Sequence, residues 1–121
     1  MHSLNDVAEN RLLSRWATLL PRAPGQLGQI HESDAEIVPL GDGRALALTV
    51  DTIAEEVSAG LYRSPETAGR IAVVASLSDL AAVGADPLGL LLAVGLPCGA
   101  ADIQDAVARG VAAACAAHGT F

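Results

Sequence analysis

Residues 64–97 read "SPETAGRIAVVASLSDLAAVGADPLGLLLAVGLP", and the fold turns on how this stretch divides. Ser64 suits a helix N-cap, Pro65 the first helical position, and Glu66 the positive end of the helix dipole. These signals predict a helix from Pro65 to about Val83, stopped by Gly84. Beyond its first turn the helix is largely apolar, yet it carries an acid, Asp79, in its C-terminal half. A carboxylate taken out of water is costly unless it is paired, hydrogen-bonded or on a metal. After Pro87 comes a continuous apolar run to Pro97, whose length and flanks favour a buried strand.

Upstream, "AEIVPLGDGRALALTVDT" (35–52) reads as two strands around a tight turn. Ile37, Val38 and Leu40 belong to the first; Leu46, Leu48 and Val50 alternate with Ala45, Ala47 and Thr49 in the second. Gly41-Asp42-Gly43 supplies what a tight turn prefers, since glycine accepts positive φ and Asp bonds the local backbone. Residues 53–63 fit either a short helix or an irregular loop. Residues 6–20 predict a helix capped by Asn5 or Asp6, with Leu12, Leu13, Trp16, Leu19 and Leu20 on one packing stripe. Residues 21–34 read as a loop, and 101–118 as a last helix with Gly119 just beyond it. The expected order is helix, strand, strand, helix, strand, helix. The long crossover suits parallel pairing of the second and third strands, with helices on one face. The fold class is therefore α+β: a small mixed sheet with open edges.

The chain has 121 residues, enough for one domain with one core. About half is apolar, and the aromatics are Trp16, Tyr62 and Phe121 alone, so the core must be built from Leu, Val, Ile and Ala. Net charge is −7, with seven scattered arginines and no lysine, which argues against nucleic acid as a partner. Cys98 and Cys115 fall outside any CxxC spacing and read as free thiols of a cytoplasmic protein. Asp79, Asp86 and Pro87 break the apolar span 71–97, so no membrane-spanning helix is expected.

Asp42 in the turn, Asp51 at a strand end and Asp79 on the helix are the candidate metal ligands. Ser76 shares a helix face with Asp79, and Thr49 and Thr52 flank Asp51. Three carboxylates converging with hydroxyls suit Mg²⁺, which takes oxygen ligands and keeps waters for a phosphate to replace. Spacing leaves a second reading open, in which Asp79 lies on the solvent face and Asp51 caps the next turn.

"LTVDTI" (48–53) together with residues 64–97 resembles the N-terminal ATP-binding domain of the thiamine-monophosphate kinase family. More broadly, the chain resembles the aminoimidazole-ribonucleotide synthetase superfamily, which also holds selenophosphate synthetase and a hydrogenase-maturation carbamoyl dehydratase. "SDLAAVGADP" (78–87) is the most specific part, and "GDG" and "VDT" agree in order and spacing. The resemblance implies residues 1–27 as an N-terminal helix and loop and 28–121 as the superfamily domain, ending before a Gly-Gly-Asp-Thr strand. It also implies a sheet completed by a second copy in a homodimer. Mg²⁺ would be held by Asp42, Asp51 and Asp79, and ATP would be bound as substrate with Thr49, Thr52 and Ser76 beside it. No residue of this part is implied to be catalytic, and turnover by the domain alone is not expected. The family's second turn acid is Gly43 here, and Ser76 stands where the family has Asn. The alternative is a dimerisation or regulatory module that keeps the fold without the chemistry, or part of another superfamily member.

Overall fold

The computed structural model describes residues 8–28 and 32–121. The chain divides into two compact units, Met1–Thr49 and Val50–Phe121.

In the first unit, α1 spans Ala8–Ala17, and the expected caps Asn5 and Asp6 lie outside the described residues. The helix stops short of the predicted Leu20: the Leu19 and Leu20 amides both donate to the Trp16 carbonyl at 2.9 Å, which turns the chain. Leu12 and Leu13 are half-buried, but Trp16, Leu19 and Leu20 are exposed, so the expected stripe packs over only part of its length.

Strands β1 (Glu36–Pro39) and β2 (Ala45–Leu48) form an antiparallel hairpin in the predicted place. Ile37 faces Ala47 and Val38 faces Leu46 across the ladder. The loop before β1 is fastened to it at two points. Leu27 bridges Ile37, its amide donating to the Ile37 carbonyl at 3.2 Å. Arg22 also grips Glu36 through both terminal nitrogens, at 3.3 and 2.8 Å, while Nη2 donates to the Leu27 carbonyl at 3.1 Å. Gln26 completes this clamp by donating to Glu36 Oε2 at 2.6 Å.

In the second unit, the ambiguous stretch resolves as α2 (Ala54–Ser58). Helix α3 runs Pro65–Ala82, as its caps predict. Ser64 Oγ accepts from the Thr67 amide at 3.1 Å, satisfying one of the free N–H groups of the first turn. The helix ends where the Gly84 amide reaches back to Ala81 and the Ala85 amide to Leu80, both at 3.0 Å. Helix α4 spans Ala101–His118, also as predicted.

Helices α3 and α4 pack against one another at backbone distance. Gly69 and Val73 of α3 and Gly110 and Ala114 of α4 are buried, and they form the centre of this unit. A β-carbon at Gly69 would overlap the Val107 carbonyl oxygen and stand 3.1 Å from the Val111 nitrogen. One at Gly110 would overlap the Glu66 carbonyl oxygen and stand 3.0 Å from the Arg70 nitrogen. Small side chains let the two helix surfaces close until main chains touch, and dispersion contacts replace the area that larger residues would bury.

The third strand expected over 87–97 is not formed. Residues 85–97 run without helix or ladder, and among the described residues the sheet has two strands, antiparallel rather than mixed. A strand exists by its ladder, and an apolar run does not specify a ladder partner. This segment is exposed rather than buried: Leu88 is 71% and Leu91 fully accessible. Beyond the helix ends, the Leu90 amide donates to the Phe121 carbonyl at 2.8 Å, with the Phe121 ring lying over Gly89. Among the described residues, no helix is long and apolar enough to cross a membrane. Cys98 and Cys115 are free.

Two outcomes are expected. Alanine for glycine inside a helix ordinarily stabilises by roughly 1 kcal/mol. At Gly110 the sign reverses: Gly110→Ala lowers stability by about 3 kcal/mol through overpacking against the α3 main chain, read as a lower urea midpoint. The second outcome concerns the clamp. Arg22's hydrogen bond, with a smaller contribution from Gln26, holds Glu36 below the usual glutamate range against the opposing effect of partial burial. A carboxyl depressed in the folded state stabilises above its ordinary value, and that contribution fades as pH falls through the folded value. Acid titration therefore loosens the hairpin–loop junction below about pH 4, and Glu36→Gln removes that step. The change is at most about 1 kcal/mol, since the pair is partly solvated.

Candidate functional site

Asp42 sits at the tip of the β1–β2 hairpin, between Gly41 (φ 84°) and Gly43 (φ 83°). Positive φ at both flanks folds the tip tightly, and the Leu40 amide closes it by donating to the Arg44 carbonyl at 2.9 Å. Position 43 thus has a backbone conformation that favours glycine, a local reason for the absence of a second acid in the turn. Both Asp42 oxygens are engaged. Oδ1 accepts the Arg44 amide at 3.0 Å, and Oδ2 accepts Arg44 Nε at 2.8 Å and Nη2 at 2.5 Å. The Arg44 guanidinium, and then its backbone amide, hold the Asp42 carboxyl below its ordinary value. The pair is exposed, so solvent screens it strongly.

Asp51 and Thr52 lie just before α2. Asp51 Oδ1 accepts the Thr52 amide at 2.7 Å, and Thr52 Oγ1 accepts the Ala54 amide at 3.3 Å. Locally, then, these side chains order the turn into the short helix, as the second sequence reading has it. Both are exposed, so a carboxylate at the entrance to α2 faces solvent, where an incoming cation can reach it. Thr49 is half-buried and engaged.

Ser76 and Asp79 lie one turn apart on α3, and both are half-buried. Ser76 falls on the same stripe as Gly69, and Asp79 lies about 80° around the helix from it. Asp79 is half-buried and is not without a polar or electrostatic interaction.

Two residues beside the candidate acids, one in each unit, escaped the sequence reading. Arg44 is one, and an acid and an arginine two positions apart across a glycine turn were the available signal. Tyr62 is the other: its phenol is pushed up, first by desolvation and then by the charges of Glu56 and Asp51. This marks the ground between α2 and α3 as acidic.

Among the described residues, no group of three or more His, Cys, Asp or Glu is gathered so as to hold a metal ion. By type alone, Asp42, Asp51 and Asp79 carry carboxylate oxygens and Thr49, Thr52 and Ser76 hydroxyls, and oxygen donors are what a hard cation takes.

Comparison with known proteins places this geometry in context. Residues 32–121 match the family model described as AIR synthase related protein, N-terminal domain. A thiamine-monophosphate kinase of Archaeoglobus fulgidus is 41% identical over 63 residues, covering 52% of this chain and 21% of the kinase. A thiamine-monophosphate kinase of Synechococcus elongatus is 33% identical over 96 residues, covering 78% of this chain and 28% of the kinase. The chain thus spans about a quarter of the length of the curated relatives it matches. No solved structure matches significantly. The match covers most of the chain, from before β1 to the end of α4, and on that ground the chain belongs to the AIR synthase related family, through its N-terminal domain.

Proposed function

We propose that this chain is the ATP- and Mg²⁺-binding part of a thiamine-monophosphate-kinase-like phosphotransferase. The observation that carries the reading is Asp79, an acid held half-buried in the C-terminal half of a largely apolar helix, within a domain of this family. Its support comes from the names of two relatives, both thiamine-monophosphate kinases. In this reading Asp42, Asp51 and Asp79 hold Mg²⁺, and Thr49, Thr52 and Ser76 hydrogen-bond to the phosphates or to metal-bound water. The metal supplies charge neutralisation at the phosphates, and phosphoryl transfer depends mainly on such positioning.

In this reading the site is completed by the rest of a longer protein or by a second copy of this chain. The exposed leucines of 88–92 support a partner that covers them, and a homodimer whose sheet is extended by its mate fits that need. By itself the chain binds nucleotide with little or no turnover. A cytoplasmic location agrees with ATP as substrate.

A second reading is favoured by the hairpin tip. Glycine at 43 and the engagement of Asp42 by Arg44 suit a module that keeps the fold for dimerisation or regulation and has given up the metal.

Calorimetry separates the two. Under the first reading Mg-ATP binds with a heat that vanishes without Mg²⁺, and Asp79→Asn weakens it by at least about tenfold. Heats that are the same for both chains, or independent of Mg²⁺, count against it. Under the second, light scattering shows a dimer that Mg-ATP neither forms nor breaks, and the melting temperature does not move with nucleotide.

A further inference from the structure

Asp42 is the one aspartate in the chain that glycine follows, and glycine follows neither asparagine. That pairing matters for the covalent chemistry of the main chain. The amide nitrogen of a residue can attack the side-chain Cγ of an aspartate just before it and close a five-membered succinimide ring. A side chain on the attacking residue crowds this closure, and glycine has none. At the hairpin tip the attack has room. The Asp42 side chain is 46% exposed, and a β-carbon built at Gly41 or at Gly43 would meet nothing within 4 Å beyond its chain neighbours.

The same tip holds the attack back. Asp42 Oδ1 accepts the Arg44 amide at 3.0 Å, and Oδ2 accepts Arg44 Nε at 2.8 Å and Nη2 at 2.5 Å. These three bonds tie both oxygens to residue 44 and limit the side-chain rotation that brings Cγ onto the Gly43 nitrogen. The Leu40 amide, donating to the Arg44 carbonyl, steadies the frame in which they are made. Arg44 is 78% exposed, so the restraint is modest and graded.

We infer that the Asp42–Gly43 linkage is a site of isoaspartate formation, a covalent modification whose rate Arg44 restrains. In the first step the Gly43 nitrogen bonds to Cγ of the neutral carboxyl, whose hydroxyl leaves with the Gly43 amide proton as water. In the second, water opens the ring. Addition at Cγ restores aspartate. Addition at the former main-chain carbonyl carbon gives isoaspartate, with the main chain now running through Cβ and Cγ to Gly43. One water leaves and one returns, so no oxidant, reductant or other reactant is needed. The product has one more carbon in the main chain of the tip, and its carboxylate sits directly on Cα, where the three bonds to Arg44 no longer fit. The site exists whether or not Asp42 takes a metal.

The test incubates the whole chain in warm neutral buffer, with and without urea. Isoaspartate at position 42 is read by peptide mapping with electron-transfer fragmentation, since its mass equals that of aspartate. In native buffer the wild type is expected to react at least about threefold more slowly than in urea, and Arg44→Gln about threefold faster than the wild type, in keeping with an exposed pair. In urea the two chains are expected to react alike. Amide signals of β1 and β2 report that the hairpin is formed. Should glutamine disturb it, Arg44→Lys, which loses the guanidinium fork and keeps the charge, replaces it with the same expected sign. No isoaspartate at 42 in either native chain removes the site. Equal native rates for wild type and variant overturn the role of Arg44. A variant that is faster in urea by the same factor overturns it as well, since local sequence and not the folded contact then accounts for the difference.

Discussion

The second half of this molecule depends on two glycines. Gly69 and Gly110 let α3 and α4 meet main chain to main chain, and each leaves just the space that the other helix's carbonyl fills. Aromatics are few and alanines many, and the residues buried where α3 meets α4 are small: Gly69, Val73, Gly110 and Ala114. Close approach is the remaining way to obtain dense packing, because dispersion falls off steeply with distance. The arrangement also fixes how α3 is turned. Once the Gly69–Val73 stripe faces α4, Ser76 and Asp79 have their directions set by helical geometry.

Much of this was legible locally. Ser64, Pro65 and Gly119 mark helix ends by mechanisms that need only near neighbours, and α3 and α4 appear where those residues put them. The hairpin was likewise readable, from alternation and from Gly41-Asp42-Gly43. What was not legible is what depends on a distant partner. The run after Pro87 has a strand's composition, but a ladder needs a second strand, and composition names none. The Leu19 and Leu20 end of the first helix failed for a similar reason: apolar spacing shows which residues can be buried, not what is there to bury them.

The site divides in the same way. The three acids and their hydroxyl neighbours could be singled out by type and order. Their local roles were legible only in part. Asp42 is bound by an arginine two residues on, and Asp51 is occupied with ordering the turn into α2, so two of the acids serve the fold of their own loops as they stand. Asp79 differs in being carried on a long helix, where it is half-buried. Membership of the AIR synthase related family agrees with this division, since the domain matched is one part of proteins several times longer.

Trp16, the single indole, lies on α1 in the unit that holds the hairpin, while the glycine-packed helices are in the other unit. Its fluorescence therefore reports first on the unit that holds α1 and the hairpin. Far-UV ellipticity has the opposite bias, because α3 and α4 contribute 18 helical residues each against 10 from α1. The two spectroscopies thus watch different halves of one chain. Superimposable melting curves would mean that both halves unfold in a single cooperative event, and separated curves would mean that each has a stability of its own.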